Sequence, residues 1–343
     1  MGLKFETLTN IFLISVMIGD SIGAKPAAPT IDINTNNEVP ALNIPPSEIL
    51  PSSSFYSNPT VAPVPTPSVY YRAGQEDRHV EPIPQSTLKL QSDIQKLVNE
   101  STGSQSIYIH EIGTGVETGV YINQNDKLLA ASTMKLPLVI AAMKVFQEND
   151  IDFNNYSDPY TGLPIKTVLR EILVNHNNVY SVNLNKLIVK LGCDANTILK
   201  EMGAPDIDVK NNLISAKSAA IILEGLTNNT LGLDEDENDF IYNLLTEDSL
   251  VNDRLFKWSF RNKLNEIGSF DNIVGSLFEV SIPVDGVGVV TSVSNDMGIL
   301  TTKDGAQFVI VINQNYGPKY DVTKENEFIS QVSKLLIEFI SGN

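Results

Sequence analysis

Cysteine, histidine and basic charge are all scarce in this 343-residue chain. The one cysteine, Cys193, excludes an intrachain disulfide. It follows Leu191-Gly192 and reads as a packing residue. With only three histidines beside it (His79, His110 and His176), a zinc site of the Cys/His kind lacks ligands. His79 falls in a low-complexity stretch and His110 in a strand-like run, which leaves little for a Ser-His-Asp triad. Twenty-four Lys and Arg stand against 41 Asp and Glu, a net charge of -17. Nucleic-acid binding needs the opposite footprint. Part of the acid is local: residues 234–239 read Asp-Glu-Asp-Glu-Asn-Asp, a solvated loop or helix start rather than a metal cluster. No nucleic acid, metal or cofactor is therefore expected, and the chain is taken as a monomer.

The N-terminus carries a short apolar run, residues 11–19, followed by Ile22-Gly23-Ala24. About nine residues are too few to span a bilayer and suit the hydrophobic region of a signal peptide. Residues 1–24 are thus expected to direct export or to act as an N-terminal anchor. Residues 25–85 are rich in Pro, Ser, Asn and Thr, as in Pro59-Thr-Val-Ala-Pro-Val-Pro-Thr-Pro-Ser68. Such a stretch cannot bury enough apolar surface to offset its ordering entropy, so a disordered linker is expected. Residues 86–343 remain for one folded domain.

The chemistry-bearing motif is Ser132-Thr-Met-Lys135, inside a run of small and apolar residues from Leu128 to Lys144. Residues i and i+3 share a helix face. A lysine at that spacing can take the proton of the serine, provided some of it is held neutral. The N–H groups at a helix start favour a developing oxyanion. The bland alternative is a serine N-cap. Spacing alone does not decide: Ser86-Thr-Leu-Lys89 repeats it beside a Pro-rich stretch with no sign of a site.

Apolar periodicity over 88–100 predicts a helix, and alternation over 106–112 and 118–123 predicts a strand hairpin. The Ser132 helix is expected to run to about Gln147. A helical middle follows at 165–174, 182–191, 215–226, 239–245 and 253–264. Strands at 295–302 and 306–313 flank a Lys303-Asp304-Gly305 turn, and 325–340 closes as a helix. First and last strands then share one sheet, with the serine where the helical block meets it, a junction that suits a cleft.

This order with that motif resembles the class A β-lactamases and the penicillin-binding serine D,D-peptidases, over roughly Ser86 to the C-terminus. The likeness rests on Val120-Tyr-Ile-Asn-Gln-Asn-Asp-Lys-Leu-Leu-Ala-Ala-Ser-Thr-Met-Lys-Leu-Pro137, on Ser294-Asn-Asp-Met-Gly-Ile-Leu300 and on the helix opening at Ile214-Ser-Ala-Lys217. It implies an α/β (α+β) fold: a five-stranded antiparallel sheet, terminal helices on one face, an all-helical subdomain on the other. It implies Ser132 as nucleophile and Lys135 as base. The family's Ser-x-Asn motif has its nearest match at Ser181-Val182-Asn183, which would make Ser181 a proton relay and Asn183 a substrate ligand. An ungapped count from Leu191-Gly192 falls instead on Val179-Tyr180-Ser181. The family's Lys-Ser/Thr-Gly triplet occurs nowhere. Counting back from Asn295-Asp296 places it at Gly286-Val287-Gly288, so backbone at Gly288, Val289 and Val290 is expected to line the substrate and complete the oxyanion hole. The loop 203–214 has no glutamate, only Asp206 and Asp208, which implies slow deacylation.

The expected function is a serine hydrolase acylated by β-lactams or D-Ala-type cell-wall peptides. Two alternatives stand beside it. One is a catalytically degenerate domain that binds peptidoglycan or a protein. The other is a different serine amidase or esterase on the same scaffold.

Overall fold

The computed structural model describes residues 84–101, 103–115, 119–251, 268–273, 277–284, 287–317 and 322–342. The expected signal and linker segments, except for residues 84 and 85, and the helix expected at 253–264 lie outside the described residues. The helices are α1 (Gln85–Glu100), α2 (Lys135–Glu148), α3 (Ile165–Leu173), α4 (Asn178–Lys190), α5 (Ala195–Glu201), α6 (Ala216–Thr227), α7 (Glu235–Val251) and α8 (Val322–Ile340). The strands are β1 (Ser104–Glu111), β2 (Val120–Ile122), β3 (Lys127–Leu129), β4 (Ile207–Asp208), β5 (Leu213–Ser215), β6 (Gly268–Ile273), β7 (Leu277–Val284), β8 (Val287–Thr302) and β9 (Gln307–Gly317).

The main sheet is antiparallel, in the order β2-β1-β9-β8-β6, with β7 also paired to β8. It has six strands rather than the five expected, because one edge of β8 is shared. Residues 287–294 pair with β7, and residues 297–302 pair with β6. Strand β9 shows why the sheet sits at the centre. Phe308, Ile310 and Ile312 face one side, while Val309 and Val311 face the other. A strand buried on both faces reads as a continuous apolar run. On the first face, α1 contributes Leu90, Ile94 and Val98, and α8 contributes Phe328, Ile329, Val332 and Leu336. On the second face lies the helical block around α2, whose residues Lys135 to Phe146 are buried except for Lys144. A helix apolar on all sides belongs in a core. The layering thus matches the sequence expectation.

The acidic run opens α7, with Glu235, Asp236 and Glu237 in its first turn, where the helix dipole favours negative charge. Among the described residues, no helix is long and apolar enough to cross a membrane.

Candidate active site

The serine stands on a turn pinned from three directions. Strand β3 pairs with β5, which joins Leu129 to Leu213 and Lys127 to Ser215. That ties the approach to Ser132 onto the segment just before α6. Ser215 then caps α6, its hydroxyl accepting from Ser218 N at 3.1 Å. Beyond β3 the chain does not enter an α-helix at Ser132, as the sequence suggested. Residues Ala131–Met134 form a 3-10 turn, and the α-helix begins at Lys135. The tighter winding eclipses side chains three apart. It brings Lys135 Nζ to Ser132 Oγ at 3.0 Å. Lys135 is only 5 % exposed, while Ser132 is half-buried. The amine therefore meets the hydroxyl with little competition from bulk water, while the serine residue keeps part of its surface exposed. The N-cap alternative does not describe this serine, whose hydroxyl is engaged by the lysine. The repeated spacing at Ser86 behaves differently: Lys89 is exposed and pairs with Asp93 one turn on, at 2.7 Å.

Ala131 has φ +52°, a left-handed conformation that costs a residue with a Cβ roughly 1–2 kcal/mol. Its neighbour explains how this persists. The Ala130 carbonyl accepts from Asn295 Nδ2 at 2.9 Å, from Thr133 Oγ1 at 2.6 Å and from Thr133 N at 3.2 Å. Ala130 N donates to the Asn212 carbonyl at 2.8 Å. Asn295 Nδ2 also donates to the Leu129 carbonyl at 2.7 Å, and its Oδ1 accepts from Gln314 N at 2.9 Å. Asn295 is fully buried on β8 and so bolts the serine turn to the middle of the sheet. Beside it across β9 lies Asn313, also fully buried, with neither end of its amide partnered among the described residues. Sequence reasoning gave Asn295 a place in a family-like segment but no role. The signal it missed is a polar residue where the strand period calls for an apolar one.

The helical-block residues are placed differently from the expectation. Helix α4 begins at Asn178, capped by Asn177, whose side chain accepts from Tyr180 N at 3.2 Å. That cap starts the helix four residues before the expected 182. Ser181 and Asn183 therefore lie within the helix, and so does the alternative count on Val179-Tyr180-Ser181. Ser181 is 3 % exposed and its hydroxyl donates to the Asn177 carbonyl at 3.0 Å. The tip of the loop between α3 and α4 is instead Asn175, His176 and Asn177, with His176 at φ +54°.

The strand register places the residues of the third expectation. Gly288, Val289 and Val290 pair with Pro283, Ile282 and Ser281 of β7. They stand five to seven residues before Asn295 on the same strand. At about 3.3 Å per residue this is about 17–23 Å from Asn295 measured along the strand. The β8 edge flanking Asn295 is bounded by Leu277, paired with Ser294, and by Ile273, paired with Met297. Counting back along the sequence missed this because it assumed a hairpin of family length, whereas β7 and β8 here form a long ribbon.

The carboxylates of the 203–214 loop are both engaged. Asp206 lies 3.4 Å from Lys127 Nζ. Asp208 accepts from Asn211 N at 3.1 Å, from Asn211 Nδ2 at 2.6 Å and from Asn196 Nδ2 at 3.3 Å. Burial works to raise the Asp208 pKa, but these donors outweigh it and hold the carboxyl below its ordinary value. Cys193 is a half-buried free thiol. Among the described residues, no group of His, Cys, Asp and Glu is arranged to hold a metal ion.

An antiparallel sheet between terminal helices and a helical block, with a Ser-Lys pair at their junction, is the architecture of serine β-lactamase-like proteins. The chain belongs to the β-lactamase enzyme family, whose profile matches residues 89–157 and 177–340. Among solved structures, the TLA-1 extended-spectrum β-lactamase aligns at TM-score 0.57 and 16% identity, over 74% of this chain and 99% of that one. A β-lactamase from Chitinophaga pinensis aligns at TM-score 0.57 and 17% identity, over 74% and 100%. A PBP-A mutant, solved as an acyl-enzyme complex with penicillin G, aligns at TM-score 0.58 and 17% identity, over 75% and 97%. No curated protein matches the chain.

Proposed function

We propose that this protein is a serine hydrolase of the β-lactamase and D,D-peptidase type, acylated on Ser132 by β-lactams or D-Ala-type cell-wall peptides and slow to release the acyl group. The observation that carries this reading is the 3.0 Å contact between Lys135 Nζ and the half-buried Ser132 hydroxyl. In its neutral form the amine accepts the hydroxyl proton across that distance as Oγ attacks the amide carbonyl. The tetrahedral oxyanion is met by the Ser132 N–H at the start of the turn. Collapse breaks the C–N bond, the departing nitrogen takes the proton that Lys135 received, and an ester is left on Ser132. The PBP-A complex lends the reading weight, since that protein shares the fold and is acylated by penicillin G.

Slow deacylation follows from the 203–214 loop. A hydrolytic water needs a carboxylate free to take its proton. Asp208 is bound up by two asparagines, and Asp206 sits beside Lys127. Intact mass after incubation with penicillin should show one adduct that persists for many minutes and is missing from Ser132→Ala.

A second reading is a family scaffold that binds peptidoglycan without turnover. The observation favouring it is the lack of a Lys-Ser/Thr-Gly triplet. A charge-assisted contact of that kind is worth about 1.5–3 kcal/mol. Retention on purified peptidoglycan equal in wild type and Ser132→Ala, with no adduct by mass, would favour it. Export follows the same family reading and is tested by recovery of the chain outside the cytoplasm.

A further inference from the structure

The geometry points to Asn295 as a positioning residue that holds Ala131 in its left-handed conformation and thereby aims the Ser132 N–H and hydroxyl. This rests on the acyl-transfer reading for its kinetic consequence but not for its structural one. Three observations converge. Asn295 Nδ2 donates to two successive carbonyls, Leu129 and Ala130, immediately before the left-handed residue. Its Oδ1 is fixed by the backbone N–H of Gln314 on β9, so the amide cannot flip without losing all three bonds. The peptide that those donors hold is the one whose rotation would let Ala131 return to negative φ.

Ala130 is held at both ends, its N–H by Asn212 and its carbonyl by Asn295 and Thr133. Ser132 follows only two residues later, so its N–H direction is set by ψ of Ala131 and its Oγ by the turn that begins there. Asn212 is itself at φ +55°, a conformation asparagine tolerates. Sheet, loop and serine turn thus meet at one residue, Ala130, and Asn295 is the side chain that joins them.

The test pairs Asn295→Ala with Ala131→Gly. Glycine adopts positive φ freely, so it should restore the turn that the lost amide no longer enforces. In Asn295→Ala the maximal rate of acylation by a fluorescent penicillin should fall at least tenfold. The concentration giving half that rate should move less than threefold. Adding Ala131→Gly should recover at least threefold of the rate. Backbone couplings of Ala131 in alanine-labelled protein report the sign of φ and need no substrate: positive in wild type, negative or averaged in Asn295→Ala. Positive φ retained in Asn295→Ala, or a rate loss that Ala131→Gly does not touch, overturns the inference. Asn295→Ser, which keeps one short donor, is read the same way if Asn295→Ala does not fold. A wild type that no penicillin labels refutes the acyl-transfer reading, and the φ measurement then decides the positioning role by itself.

Discussion

Replacing Lys135 by methionine separates the two things a buried lysine can do here. Methionine matches the length and apolar stem of lysine, so the packing of Lys135 at the head of α2 is largely kept. What is lost is the amine 3.0 Å from Ser132 Oγ. General base catalysis contributes roughly 10²–10⁴-fold. At 1.36 kcal/mol per decade that is about 3–5 kcal/mol of barrier. Stability should move the other way or not at all. Lys135 is 5 % exposed, and exchanging a buried ionisable group for an apolar one of like volume is often neutral or stabilising. The assay is acylation by a fluorescent penicillin, followed by gel against time, with thermal melts of the same samples. Lys135→Met should acylate 10²–10⁴-fold more slowly and melt within about 2 °C of wild type, or higher. A variant that melts several degrees lower yet acylates at the wild-type rate would show that Lys135 is a structural residue and that Ser132 has another base.

Three further outcomes are expected. Asp208→Ala should leave the lifetime of the acyl-enzyme within threefold of wild type, measured by mass against time. It should cost about 1 kcal/mol of stability, because the carboxylate is half-exposed and screened while it holds Asn196 and Asn211. Ser215→Ala removes the N-cap of α6 and should cost about 0.5–2 kcal/mol in denaturant melts. His110 supplies a pH dependence. Its Nδ1 faces Glu224 Oε1 at 3.0 Å and its Nε2 the Gly115 carbonyl at 3.2 Å, so both ring nitrogens meet acceptors. Burial would lower its pKa, but the bond and charge of Glu224, with Gly115 and the charge of Glu111, raise it overall. Tyr108, its phenol pushed up by burial and then by Glu224, stays neutral and donates to that same carboxylate at 3.2 Å. With the folded pKa above the unfolded one, the stabilisation is full below about pH 6.5 and lost as pH rises through the folded value. The melting difference between wild type and His110→Gln should therefore be larger at pH 5.5 than at pH 9. A difference independent of pH would contradict the protonated pairing.

The Ser-Lys pair and the layering of the domain could be read from the chain because both rest on local periodicity. The spacing of Ser132 and Lys135 survives whether the turn is α or 3-10. The two-sided apolar run Phe308 to Ile312 announces a central strand by itself. The rest depended on pairings between distant segments. Gly288 to Val290 were placed by a count along one strand, which cannot see that residues 287–294 pair with β7 over their whole length. Ser181 was expected just before a helix starting at 182 because the capping role of Asn177 was overlooked, although an asparagine before an apolar helix is a recognisable start signal. The polar Asn295 in a buried strand was a visible signal, but its partner residues and the left-handed Ala131 were not. Their roles exist only once β8 lies under residues 129–130.

The proposed function turns on covalent bonding of the Ser132 oxygen to the acyl group of a β-lactam. Intact mass spectrometry of the wild type and Ser132→Ala after incubation with penicillin tests it in one step. A single added mass of one penicillin is expected on the wild type, located by peptide mapping to the segment containing Ser132, and none on the variant. No adduct on either protein, or the same adduct on both, would contradict it.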